Sequence, residues 1–136
     1  MRDFQVLDHT ADVGIRARGA SLEETFEAAT EGVASILGGW RPGAGEARAV
    51  VTEPGDLGAQ LVDWLSEVIY LQESLDSVIT SVVVERVSED GTSGAISLAP
   101  RADDVLEGTA VKAITYHQLR VERADDGWVA EVYVDV

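Results

Sequence analysis

Residues 116–136 constrain the fold more than any other stretch of the chain. Over 116–123 the pattern alternates strictly, placing His117, Leu119 and Val121 on one face and Gln118, Arg120 and Glu122 on the other. Asp125-Asp126-Gly127 is a hairpin turn signal. The alternation then resumes, with Trp128, Ala130, Val132, Val134 and Val136 on the apolar face. Period two is the signature of half-buried strands, so this unit is an antiparallel hairpin with one face on a core. The two apolar faces coincide only across a loop of even length. A two-residue loop sets Asp135 opposite Gln118 and a four-residue loop sets it opposite Tyr116. Either register brings the last carboxylates beside the Thr115-Tyr116-His117 segment.

The rest of the chain supplies partners for that hairpin. Residues 4–7 and 13–18 read as strands joined by a turn around His9-Thr10-Ala11-Asp12, with Val13, Ile15 and Ala17 on one face. Ser21 opens a helix, and Glu24 three residues on completes a capping box. Leu22, Phe26, Ala29, Val33 and Ile36 share one helical stripe, opposite Glu23, Glu24, Glu27 and Glu31. Gly38-Gly39 ends it. A strand over 47–52 precedes a second helix at about 56–74, with Leu57, Leu61, Trp64, Leu65, Val68 and Leu71 inward. Residues 78–87 form a β-branched run too apolar for an exposed edge, turned back by Glu89-Asp90-Gly91 towards a strand at 95–98. Two helices that do not alternate regularly with six or seven strands make an α+β fold.

Composition narrows the function. The 136 residues suit a single domain over 1–136, long enough to bury a sizeable core. The absence of cysteine excludes disulfides, thiolate zinc sites and thiol catalysis. No apolar run approaches the ~20 residues of a membrane span. The first residues lack the apolar stretch of a signal peptide, so a cytoplasmic protein with no membrane partner is expected. Twenty-five acidic against ten basic residues give a net charge of −15, a field that repels phosphate backbones. Stable nucleic-acid binding is therefore not expected. Cations, a basic protein partner or a salt-adapted surface fit the charge. Among the basic residues, nine are Arg and only Lys112 is Lys, a hint that Arg would not serve there.

Several common motifs are missing: no nucleophile elbow, P-loop, dinucleotide glycine pattern or His-Glu-x-x-His. The glycine-rich stretch 38–45 fits no phosphate cradle and reads as a mobile loop. In the first turn, Thr10 and Asp12 either cap backbone amides or, in a sharper reading, Asp12 is a hard-cation ligand. Asp135 and the α-carboxylate of Val136 would complete that oxygen-rich site. His117, on the apolar face, reads as a core histidine with a satisfied hydrogen bond. A His9, Asp12 and His117 triad for a transition metal is the alternative, and it would make the chain a small metal-dependent hydrolase. Lys112 reads equally as a surface lysine. Asp63, Glu67 and Tyr70 form a solvated helix face, or a face for docking a partner.

Five segments together resemble one family. Asp8-His9-Thr10-Ala11-Asp12-Val13-Gly14-Ile15, Ser21-Leu22-Glu23-Glu24 and Asp63-Trp64-Leu65-Ser66-Glu67 resemble archease. So do Val111-Lys112-Ala113-Ile114-Thr115-Tyr116-His117 and Val132-Tyr133-Val134-Asp135-Val136, in order and spanning the chain. The resemblance implies a small α+β domain, a mixed sheet with two helices packed on it. It implies a non-catalytic activator of the RtcB-type RNA ligase, which seals tRNA exon ends in splicing and repairs RNA. The family stimulates ligase guanylylation and multiple turnover. Asp12 matches its invariant N-terminal aspartate and Asp135 its penultimate one. With the terminal carboxylate of Val136 they resemble its divalent-metal site, for calcium first, with magnesium or manganese as alternatives. Lys112 matches a lysine implicated in activation, and His117 lies in the same signature. Asp8 stands where glutamate is commoner and Val136 where isoleucine is commoner, and neither change removes a ligand. A chaperone-like binding module is the remaining expectation.

Overall fold

In the computed structural model, which describes residues 2–8, 12–101 and 113–135, the helix signals in the sequence are realised atom by atom. The described elements are β1 (Asp3–Asp8), β2 (Asp12–Gly19), α1 (Leu22–Ile36), β3 (Glu46–Val51), α2 (Leu57–Ser74), β4 (Ser77–Ser88), β5 (Gly91–Pro100), β6 (Ala113–Ala124) and β7 (Gly127–Asp135). Ser21 Oγ accepts the Glu24 N–H at 3.1 Å, and Glu24 Oε1 accepts the Ala20 N–H at 2.8 Å, so two orphan donors at the start of α1 are satisfied. At its end Gly38 turns left-handed (φ 71°), donating to the Ser35 carbonyl at 3.0 Å while Gly39 donates to that of Ala34 at 2.9 Å. That pair of bonds closes the helix as a Schellman motif, where a residue with a Cβ would be strained. Asp56 caps α2 by accepting the Ala59 N–H at 2.9 Å.

The fold is α+β, with two helices and seven strands among the described residues. The expected single mixed sheet is corrected to two antiparallel sheets, ordered β1-β2-β7-β6 and β3-β5-β4. The helices explain the division. α1 touches β1, β2 and β7 of the first sheet and β4 of the second, while α2 touches β6 of the first and β3, β4 and β5 of the second. A helix that serves two sheets must be apolar around more than one stripe, and α1 buries Thr25, Ala28, Thr30 and Gly32 beside the anticipated Phe26, Ala29 and Val33. The shared core joins Phe26, Leu61, Trp64 and Leu65 to Ile15 and Val132 on one side and Ile79 and Ile96 on the other. Trp64, fully buried, donates its indole N–H to Thr30 Oγ1 at 2.8 Å, and Thr30 donates to the Phe26 carbonyl at 2.7 Å. This ties the two helices together without leaving a polar group unpaired.

Strand β4, read as too apolar for an exposed edge, does stand at the edge of its sheet. Outer donors along that edge are nonetheless bonded to α1. The Val84 N–H donates to Glu27 Oε2 at 2.8 Å and the Val87 N–H to Glu23 Oε2 at 2.9 Å. Two glutamates that lie opposite the apolar stripe of α1 thus act as the missing neighbour of β4. The glycine-rich stretch, read as a mobile loop, covers the same edge nearer its start. Ile79 donates to the Gly39 carbonyl at 2.6 Å and accepts from Arg41 at 2.9 Å, with Trp40 bridged to it in parallel. No described helix is long and apolar enough to cross a membrane.

Candidate functional site

The candidate site lies on the face of the four-stranded sheet that points away from the helices. Ile15, Ala17, Ala130, Val132 and Val134 of β2 and β7 are buried in the shared core. Strand alternation therefore sends Asp12, Gly14 and Arg16, with Glu131, Tyr133 and Asp135, to the other side. Three strand ends meet at one edge of this face. Asp12, the first residue of β2, pairs directly with Asp135, the last of β7, which in turn pairs with Ala113, the first of β6. Directly opposed side chains in an antiparallel pair have Cβ atoms about 5 Å apart, and like charges so placed repel. Among the described residues neither Asp12 nor Asp135 has an ion-pair partner. Two facing carboxylates are hard oxygen donors of the kind a calcium or magnesium ion takes, so the residues present fit such an ion in chemistry.

Strand pairing sets Asp12 beside Asp135 but corrects the register expected for Asp135. It stands opposite Ala113, not Gln118 or Tyr116. The loop is the two residues Asp125-Asp126, with Ala124 paired to Gly127, and from there the ladder runs regularly as far as Arg120 opposite Glu131. A wide bulge then intervenes, and pairing resumes with Thr115 opposite Tyr133. Gln118, at φ 54°, lies within the bulge. An irregularity of this kind re-aims side chains, and here it overturns the reading of His117 as a core residue. His117 is exposed, its backbone N–H bonded to Thr115 Oγ1 at 3.1 Å, while Leu119 and Val121 remain packed against the core.

The His117 ring stands edge-on to Tyr133, with centroids 6.3 Å apart and planes at 67°. Tyr133 itself is mostly buried because its ring lies across Gly14, where a Cβ would come within 2.7 Å of Tyr133 Cε1. Sequence reasoning passed over this pair. The available signal was a glycine inside a strand pattern, which marks a close approach by another group. One row further along, Arg16, Glu131 and Arg120 stand side by side on β2, β7 and β6. Arg16 donates to Glu131 Oε1 at 3.0 Å, and Arg120 donates to Glu131 Oε2 and to Glu122. Burial of the Glu131 carboxylate works to raise its pKa, but the bonds from Arg120 and Arg16 prevail and hold it below the ordinary glutamate value.

His9, Lys112 and Val136 lie outside the described residues. Asp12, Asp135 and His117 are thus the described members of the candidate set, and among the described residues no three His, Asp or Glu side chains converge. Asp63, Glu67 and Tyr70 are exposed on α2, as their spacing predicts.

The model of the archease protein family matches residues 4–136. The protein archease of Methanosarcina barkeri is 34% identical over 141 residues, covering 99% of this chain and 97% of its own length. Among solved structures, the solution structure of protein 1598 of Methanobacterium thermoautotrophicum superposes with a TM-score of 0.76 at 27% identity, covering 98% of each chain. The crystal structure of an archease from Thermotoga maritima, described as a possible chaperone, superposes with a TM-score of 0.65 at 22% identity, covering 97% of this chain and 96% of its own.

Proposed function

Because the chain belongs to the archease family, we propose that it is a non-catalytic protein cofactor of an RtcB-type RNA ligase, acting in the cytoplasm in tRNA splicing and RNA repair. In this reading it stimulates guanylylation of the ligase and allows multiple turnovers. The observation that carries the reading is the direct pairing of Asp12 with Asp135 at the end of the sheet where β6 begins. Asp12 and Asp135, with the α-carboxylate of Val136, would hold a divalent cation, calcium first and magnesium or manganese next. Such an ion supplies concentrated positive charge beside which a phosphate or a ligase carboxylate can settle.

The chain's own residues then have distinct parts. Asp12 and Asp135 present an acidic end to the ligase. Lys112, the residue before Ala113, meets a phosphate or a carboxylate of the ligase as a compact cation. His117, turned outward by the bulge and set against Tyr133, would touch the partner surface in this reading. The test is ligase guanylylation and turnover on a split tRNA, with and without this protein. Turnover should rise in its presence. Asp12→Ala should abolish the rise while leaving the circular dichroism spectrum unchanged. A variant that still restores turnover, or no rise with a ligase of proven activity, would sink the reading.

A chaperone-like role is the second reading, favoured by the description of the Thermotoga maritima neighbour as a possible chaperone. It predicts that the protein suppresses aggregation of unrelated denatured proteins, and that Asp12→Ala leaves this suppression unchanged.

A further inference from the structure

The second sheet has a groove that the proposed function does not use. Strand β3 pairs with β5 on one side and stands at the sheet edge on the other. The Thr52 N–H donates to the Thr92 carbonyl at 2.9 Å, which sets the alternation of this ladder. By that alternation the N–H and C=O groups of Val50, Arg48 and Glu46 turn towards β5, and those of Val51, Ala49 and Ala47 turn outward. Unlike β4, this edge has no glutamate bonded to its amides among the described residues. Nor does any described strand lie on it.

Helix α2 flanks that edge. A cavity of about 530 Å³ opens between Val51, Thr52 and Glu53 on one wall and Asp63, Glu67 and Tyr70 on the other. Beyond the end of the helix, Leu75 lies beside Glu46 and Arg48, so helix and strand run past each other in opposite directions. Around the cavity itself the chemistry is one-sided. Val51 is 75% exposed and Tyr70 63% exposed, a large apolar surface left to water. Among the described residues, Glu53, Asp63 and Glu67 carry three negative charges with no ion-pair partner, and none of those lining the cavity is basic. Asp63 and Glu67, four residues apart on one helix face, repel each other and gain from a cation set between them.

We propose that the groove between β3 and α2 binds an extended basic segment of a partner protein, which adds to β3 as a further strand. Main-chain bonds to Ala47, Ala49 and Val51 hold the segment. Its arginine or lysine side chains on the helix side meet Glu53, Asp63 and Glu67, and its apolar stems cover Val51 and Tyr70. An open strand edge beside a helix is a recurring frame for peptide binding, with affinity from the backbone and selectivity from the flanking side chains. The sign of the charge excludes an acidic peptide or a nucleic acid from the same place.

The experiment is a titration of the isotopically labelled protein with a short synthetic peptide of alternating arginine and valine, followed by amide chemical shifts. Shifts should be confined to β3 and α2, and the amides of Ala47, Ala49 and Val51 should become protected from exchange. A peptide of alternating glutamate and valine should bind on the order of tenfold more weakly or not at all. The double variant Asp63→Asn with Glu67→Gln should weaken the arginine peptide by a similar factor. Ala49→Pro removes one outward donor at an edge position that tolerates proline, and should abolish binding while keeping the melting temperature. Should that variant fail to fold, N-methylation of alternate peptide amides should abolish binding to the unaltered protein. Shifts centred on the other sheet, equal affinity for the glutamate peptide, or sedimentation as a dimer joined through β3 would each overturn the proposal.

Discussion

Glu131 sits between two guanidinium groups, and its charge is used by both. Its side chain is only 12% exposed, and the bonds from Arg120 and Arg16 keep its folded-state pKa below the unfolded value. A carboxylate so depressed adds stability that is fully present above the ordinary glutamate range and is lost as pH falls through the folded value. Glu131→Gln should therefore cost on the order of 1 kcal/mol at neutral pH, with the gap to the unaltered protein closing below about pH 4. Urea melts across that range test this, and a gap unchanged between neutral and acid pH would contradict it. Gly14 poses the other residue-scale case. Gly14→Ala places a methyl group 2.7 Å from Tyr133 Cε1, so the ring must move and its arrangement against His117 must change. A loss of roughly 1–3 kcal/mol is expected, with shifted ring resonances of Tyr133 and His117. Ring resonances unchanged by the substitution would show that Tyr133 does not rest on Gly14.

Among the elements, α1 does more than cover a sheet. Its glutamates lie opposite the apolar stripe in the sequence, yet Glu23 and Glu27 bond the outer amides of β4. Arg2 in turn pairs with Glu27 at 2.7 Å and with Glu31, holding the row in place from β1's side of the molecule. Replacing Glu23 and Glu27 together by Ala should leave two strand amides without partners, at roughly 1–3 kcal/mol each. It should also expose an apolar sheet edge of the kind that seeds aggregation. Thermal melts and light scattering measure the two effects separately. A stable, monodisperse double variant would show that water replaces the carboxylates without cost.

At the scale of the whole molecule, the excess of fifteen negative charges acts on stability at long range. Self-repulsion of like charges opposes the compact state and is screened within about 10 Å at 0.1 M salt. Raising sodium chloride from low concentration to about 1 M should lift the melting temperature by a few degrees, read by calorimetry. A melting temperature that falls instead would mean that the ion pairs around Glu131, Glu27 and Glu31 outweigh the net repulsion.

Local signals carried the element boundaries. The capping residue Ser21, the start of α2 near residue 56, the Gly38-Gly39 stop, the buried stripe of Leu61, Trp64, Leu65 and Val68, and the Asp125-Asp126 turn are all legible, because each reports on neighbours a few residues away. The family motifs likewise singled out Asp12 and Asp135 before any geometry placed them opposite each other. What lay beyond reach depends on which strands meet. Alternation states that one face of a strand is buried but not against what, so one sheet was expected where two helices divide the strands between two. A bulge leaves no clear mark on alternation, so alternation alone sets Asp135 opposite Gln118 or Tyr116 and His117 in the core, where the structure has neither. The outward turn of His117, the seat of Tyr133 on Gly14 and the use of α1 glutamates as a strand's neighbour arise from contacts between distant segments, and only the tertiary structure could decide them.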